Sequence, residues 1–348
     1  MRWRGGSAVA AALLIVFGSS SMAAAEAPVA ATLTVLAEPA ERIAAGGRGA
    51  EPGVTGMDLA EGDRIKTGRD GIALITFLNG STVTVLPDSE ITVRQAVTER
   101  GNSAIRLLIH AGRVWARVVK AAGSRSIVTL ESNEYSATAH DGLIGAEQGP
   151  AGFVCWTRRG SLRLTDRSGV TEAVLAPGQR ARARLGVAVT PEPFVAGSSV
   201  LEIRSSGPVV PLVRMPDGRR SAGFLAEDVE VNHVFGSLTE GGDRRWLVEV
   251  PGGYPGPYTL VLTGTGSGSF TVRVSGRYAG FSMYRQELKG DVREGERLYT
   301  RISQSVKGDE PQTARVLEAT MESLRPWDGH EPPAVVASPG DRRRRGSN

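Results

Sequence analysis

The chain is poor in the groups that most catalytic and metal centres need. Its 348 residues include a single cysteine, Cys155, which excludes an internal disulfide framework and a cysteine-rich metal site. The four histidines, His110, His140, His233 and His330, are widely separated and share no metal-ligand spacing. There is no Gly-x-Ser-x-Gly elbow and no Walker loop. The glycine-rich run 264–268 lies between expected strands, without the helix that a phosphate cradle requires. A formal net charge of +4 is well below a nucleic-acid binder's excess. The apolar run Ala8 to Phe17 falls short of the ~20 residues a membrane-crossing helix needs. The sequence therefore implies no cofactor, no metal and no nucleic-acid partner.

That short run has a different use. Arg2 and Arg4 precede it, and Ala23-Ala24-Ala25 before Glu26 offers an Ala-x-Ala cleavage site. Residues 1–25 are expected to be a signal peptide, and the mature chain to start near Glu26, in the periplasm or at the cell surface, with no stable membrane span. The absence of a cysteine near the site argues against a lipoprotein.

What the chain has in abundance is turn residues, 44 Gly and 19 Pro, between runs rich in Val, Thr, Ile and Leu. This predicts an all-β protein. At about 150 residues per domain, two domains plus tails are expected. In the stretch 62–94, Asn79-Gly80 predicts a two-residue hairpin loop that pairs Leu74 with Val85, Thr76 with Val83 and Phe77 with Thr82. A second hairpin is expected from Ile105 to Val119 around Ala111-Gly112. One of its faces carries Ile105, Leu107, Ile109, Val114, Ala116 and Val118. The other carries Arg106, Leu108, His110, Arg113, Trp115 and Arg117. Further strands are expected at Ser126–Leu130 and Tyr135–Ala139, and Phe153–Thr157 is expected to pair with Ser161–Thr165 around Arg159-Gly160. Residues 190–199, with Pro191, Pro193 and Gly197, look like a linker. Period-two segments over 200–307 predict a β-sandwich domain. Leu317, Met321 and Leu324 fall on one helical face, so 308–326 is expected to be an amphipathic helix. The Pro-rich, basic end, 327–348, is expected to be disordered.

The stretch Gly62-Asp63, Thr67-Gly68, Asn79-Gly80-Ser81 and Pro87-Asp88-Ser89 resembles the FecR domain, a bacterial extracytoplasmic module. The resemblance continues through Gly112-x-Val114, Gly160-x-Leu162 and Pro177-Gly178-Gln179, covering residues 33–185 and implying a FecR-like β domain over 26–189. One departure is Ala139-His140-Asp141-Gly142, where the family usually has Gly-Thr. Gly256-Pro257-Tyr258 to Val274 resembles the end of extracellular β-sandwich modules of the prepeptidase C-terminal type. The FecR resemblance implies a link to envelope signalling, in which a membrane-crossing regulator couples an outer-membrane receptor to a sigma factor. Only Met1 to Ser7 precede the apolar run, so no cytoplasmic arm is expected to reach a sigma factor. What the resemblance leaves is a non-enzymatic binding or scaffolding role.

Three candidate sites follow. Cys155 with His140 and Asp141 would suit nucleophilic catalysis, but Cys155 lies between Phe153-Val154 and Trp156 in an expected strand, where a buried inert thiol is the ordinary state. Arg106, Arg113, Trp115 and Arg117 would form a partner-binding face for an envelope protein or an anionic envelope polymer such as a carbohydrate, with Trp115 as a flat platform. Arg158, Arg159 and Arg163 would extend it if their hairpin lies alongside. A solvated sheet face is the plain alternative. The run Arg342 to Arg345 would touch anionic polymers or lipid headgroups, or simply be solvated.

Overall fold

The computed structural model describes residues 29–99, 102–120 and 125–327. The expected signal peptide, His330 and the run Arg342 to Arg345 lie outside them. Every regular element among the described residues is a strand.

Residues 31–193 form two sheets. Sheet I runs, in spatial order, Met57–Leu59, Ala31–Ala37, Ile72–Phe77, Thr82–Val85, the second half of Asn102–Val118, Gly142–Gly149, Gly152–Arg159, Gln179–Ala183 and Glu192–Pro193. Sheet II runs Ala50–Pro52, Ala40–Ile43, Arg64–Thr67, Glu90–Glu99, the first half of Asn102–Val118, Ser126–Glu131, Tyr135–Ala139, Leu162–Asp166 and Thr171–Leu175. The chain thus crosses between the sheets and extends both in the same direction. Their facing side chains, among them Leu33, Ile65, Ile75, Ile91, Leu107, Val114, Leu130, Cys155 and Leu164, make one buried core.

The 17-residue strand Asn102–Val118 belongs to both sheets, and it replaces the expected second hairpin. Gly112 turns the corner with φ of 84°. A Cβ there would lie 2.2 Å from Ser89 Oγ and 2.5 Å from Ser89 Cα, so the strand bends by pressing its bare backbone onto the Pro87-Asp88-Ser89 corner. Ser89 Oγ accepts the Arg113 N–H at 2.9 Å, and Thr67 Oγ1 accepts the Ser89 N–H at 3.0 Å and donates to Leu86 O at 2.6 Å. Asp63, 1% exposed, accepts hydrogen bonds from Arg42 Nε at 2.8 Å and from the Ala45 and Ala60 N–H groups, each at 2.9 Å. The polar motif residues 62–89 are therefore internal fasteners of the two-sheet stack.

The first hairpin forms, in a shifted register. Ala73 faces Val85, Ile75 faces Val83 and Thr76 faces Thr82. The Gly80 N–H bonds Phe77 O and the Phe77 N–H bonds Ser81 O, each at 2.9 Å, so the loop is Leu78-Asn79-Gly80, with Gly80 at φ 81°. A three-residue turn ending in a left-handed glycine replaces the two-residue one. This register puts Ala73, Ile75, Phe77, Val83 and Val85 together in the core. Arg159-Gly160 is likewise a corner: Gly152–Arg159 pairs in sheet I and Leu162–Asp166 in sheet II.

Residues 199–326 form two more sheets around a core of their own. Sheet III runs Leu238–Gly242, Arg245–Pro251, Ser199–Ser206, Gly268–Tyr278 and Phe281–Val292. Sheet IV runs Val229–Asn232, Ser221–Ala226, Val209–Arg214, Pro257–Gly264, Arg297–Lys307 and Arg315–Met321, with Arg325–Pro326 also paired to Arg297–Lys307. The helix expected over 308–326 is thus a strand. A bulge where Ser305 faces Glu318 and Val306 faces Val316 breaks the period-two pattern. Val316 and Ala319, three apart, are both buried, whereas of the three residues expected on a helical face Leu317 is exposed and Met321 and Leu324 are half-buried. The stretch 190–199 is not a free tether either. Glu192–Pro193 pairs with Gln179–Ala183, and the Phe194 N–H bonds Gly178 O at 2.8 Å with its ring buried.

Candidate functional site: the junction of the two β regions

Strand alternation in sheet I sends Val114, Ala116 and Val118 into the core and Arg113, Trp115 and Arg117 outward. Neighbouring strands add Leu143, Val154, Trp156, Arg158 and Arg159 to the same side. This outer face is covered by the second β region. Trp115 is fully buried in an apolar cluster with Leu143, Val154, Trp156 and Phe194, against which Ala196, Phe235 and Leu238 pack. Its ring lies over Gly145, where a Cβ would be 2.8 Å from a ring carbon. Phe235 sits edge-on to three rings, with centroids 5.4 Å from Trp115, 5.3 Å from Trp156 and 6.0 Å from Phe194. The Arg113 guanidinium stacks 4.8 Å from Phe235 and 5.8 Å from Trp156 while paired to Glu147 at 2.8 Å.

Polar groups close the junction around this cluster. Trp115 Nε1 donates to Asn232 Oδ1 at 2.8 Å. Asn232 is itself fixed by donation from Ser237 Oγ to its Oδ1 at 2.7 Å and by its own Nδ2 donating to Thr239 Oγ1 at 3.0 Å. Arg117 spans the seam, donating from Nε to Glu230 O and from a terminal nitrogen to Gly80 O, each at 3.3 Å. Arg159 pairs with Glu230 at 2.9 Å and also donates to Thr239 O. Arg158 pairs with Glu249 at 2.6 Å, and Glu249 takes Arg277 on its other oxygen. Burial pulls the Arg117 guanidinium below its usual range, with Arg159 adding to the effect and Glu230 opposing it. Burial, helped by the nearby Arg117, pulls the His233 imidazole down to about 4.

Residues 63–163 match the FecR protein family. The match holds the corner motif and Trp115, is shorter than the resemblance read from the motifs, and leaves the second β region outside. A solved structure of a candidate anti-sigma factor from Parabacteroides distasonis is similar at 11% identity and a TM-score of 0.32, covering 37% of this chain and 59% of that one. A second such structure from the same organism gives 10%, 0.31 and the same coverage. This chain thus spans less than two thirds of the length of those solved chains. No curated protein matches it.

The expected partner-binding residues are divided by the FecR region's geometry. Arg113, Trp115 and Arg117 meet, joined by Arg158 and Arg159. Arg106 lies in the other half of the long strand, on sheet II, paired to Glu131 at 2.7 Å. It does not face Arg117, because the two halves continue one another and do not pair. Arg163 is also on sheet II, donating to Thr171 Oγ1 at 3.2 Å. The platform expected at Trp115 is covered by the chain itself.

The Cys155–His140–Asp141 grouping does not assemble. Cys155 points into the core of the FecR region, and burial pushes its thiol up to about 12. His140 Nδ1 lies 3.2 Å from Ser126 O, and Gly160 backs onto the Asp141 backbone. Among the described residues no group of three His, Cys, Asp or Glu could hold a metal ion, and no helix is long and apolar enough to cross a membrane. Asn232, Phe194, Phe235, Glu230 and Glu249 are the site residues that sequence reasoning missed. One signal was present: Phe194, a large apolar residue inside a Pro-rich stretch that otherwise looks like a linker.

Proposed function

We propose that this chain is an exported, non-enzymatic protein of the bacterial cell envelope, in which the FecR region and the second β region act together as a binding or scaffolding module for an envelope protein, linked to envelope signalling. The observation that carries the reading is the outer face of sheet I. Its arginines and Trp115 receive a folded protein surface bearing Glu230, Glu249 and Asn232, so the FecR region is built to hold an acidic β surface, here the chain's own. The FecR match supports the envelope setting. The buried Cys155 supports the non-enzymatic reading, because a thiol with its pKa pushed up and no exposure makes no nucleophile. Because these guanidiniums already stack on rings or pair with the chain's own carboxylates, an outside partner, protein or anionic carbohydrate, would meet other surfaces of the joined unit.

The test is co-purification of the mature chain from an envelope fraction, with mass spectrometry of both the bait and what it retains. The expected result is a bait N-terminus close to Glu26 and a retained envelope protein. An intact Met1 recovered from membranes contradicts export, and retention of polysaccharide without protein contradicts the protein-scaffold reading.

A further inference from the structure

Phe281–Val292 is the outermost strand of sheet III, hydrogen-bonded to Gly268–Tyr278 on one side only. It is 12 residues long, and a free edge of that length is a template for another strand. Edges are commonly blunted with charge. Here the charges alternate in sign: Arg285, Glu287, Lys289 and Asp291 stand on the solvent face, all exposed, and between them Gln286 and Leu288 turn inward. Gln286 Nε2 donates to Ala319 O at 2.7 Å, and Leu288 packs on the core of the second region. These contacts hold the strand from its inner face and leave its outer backbone edge open.

We propose that this edge pairs with the same edge of a second copy, antiparallel and centred on Leu288. A two-fold axis at Leu288 places Arg285 opposite the other copy's Asp291 and Glu287 opposite its Lys289, giving four opposite-charge pairs across the seam. Moving the centre by one residue destroys this. Centred on Glu287, that residue faces itself and Arg285 faces Lys289. Centred on Lys289, that residue faces itself and Glu287 faces Asp291. The sign pattern therefore rejects the adjacent registers, and centring on Gln286 or Gly290 leaves only two opposite-charge pairs within the strand, so the four at Leu288 favour that register. The groups are free to take these partners. Arg285 has no ion pair among the described residues. Among the described residues Glu287 is engaged with exposed Lys289 and Arg273, at 2.9 and 3.4 Å, and Asp291 with Ser269 Oγ at 2.8 Å, all surface contacts that can exchange for pairs across the seam. Pairing joins two five-stranded sheets into one of ten strands. The surface lies on sheet III alone, so the proposal stands independently of the envelope-partner reading.

The test is sedimentation equilibrium of the mature chain and two variants, with circular dichroism to establish folding. The wild type is expected to be a reversible dimer. Arg285→Asp with Lys289→Glu puts like charges at all four positions, and the dimer dissociation constant is expected to rise roughly tenfold or more. Adding Glu287→Lys and Asp291→Arg inverts every sign and is expected to restore the dimer. A monomeric wild type, or a dimer unmoved by the double variant, overturns the proposal. So does a quadruple variant that folds but stays as weak as the double one.

Discussion

Removing the carboxylate of Asp63 would leave Arg42 and the Ala45 and Ala60 N–H groups without their shared acceptor in a site that is 1% exposed. Asp63→Ala is expected to cost about 2–4 kcal/mol, from the two unsatisfied backbone donors and the lost charge-assisted bond of Arg42, which keeps only its pair with Glu51 at 3.0 Å, measured by urea unfolding. A loss below ~0.5 kcal/mol would show that the motif aspartate is not a fastener. Trp115 makes a second residue-scale case. Trp115→Ala opens a cavity between Phe235, Val154 and Gly145 and is expected to cost about 3–5 kcal/mol. Trp115→Phe keeps one ring in the cluster but loses part of the indole's contact and the donation to Asn232, which still receives Ser237 Oγ, so a smaller loss of about 1–3 kcal/mol is expected. Equal losses from the two substitutions would contradict the packing account.

At the scale of the element, the stretch 190–199 resists the behaviour its composition implies. Phe194 fills the junction and Glu192–Pro193 pairs along Gln179–Ala183. Wild-type chain is expected to resist limited proteolysis there, and Phe194→Ser to be cut within 190–199 at once. Rapid cutting of the wild type would return the stretch to a free linker. The same scale shows what the sequence could and could not disclose. The two faces of residues 105–118 were legible because a corner at Ala111-Gly112 breaks the alternation just as a two-residue loop would. Both put Ile109 and Val114 on one side, so the face pattern carries no information on whether the chain reverses. The Asn79-Gly80 turn was legible as a turn, but its register depends on one extra loop residue, which only packing of Phe77 against Val83 and Val85 decides. The C-terminal strand was misread because Leu317, Met321 and Leu324 fall at helical spacing, yet Leu317 is exposed and Leu324 lies beyond the end of the strand at Met321, so the three share no face. The contact of Trp115 with Asn232 joins residues 117 positions apart, and no local pattern encodes such a pairing.

For the whole molecule, the junction makes stability depend on pH. His233 in the folded chain binds its proton less readily than an unfolded histidine, its pKa being about 4 where an ordinary imidazole has 6.5. Between those values the unfolded chain holds more protons, so stability rises with pH through this window. The contribution is complete above about pH 6.5 and is lost as pH falls towards 4. Acidification should destabilise the wild type by on the order of 1–2 kcal/mol more than His233→Gln, since the ring keeps some solvent contact. Parallel melting curves for the two proteins between pH 7 and pH 4 would contradict this.

The claim that the two β regions hold each other is tested most directly by a double-mutant cycle between Arg158 and Glu249, which pair at 2.6 Å with 17% and 11% of their side-chain surface exposed. Arg158→Ala, Glu249→Ala and the double variant would be compared by urea unfolding. A coupling of about 1–3 kcal/mol is expected for a largely buried, charge-assisted pair that bridges the junction. Losses that add to within ~0.3 kcal/mol would mean that the two regions do not hold each other through this face.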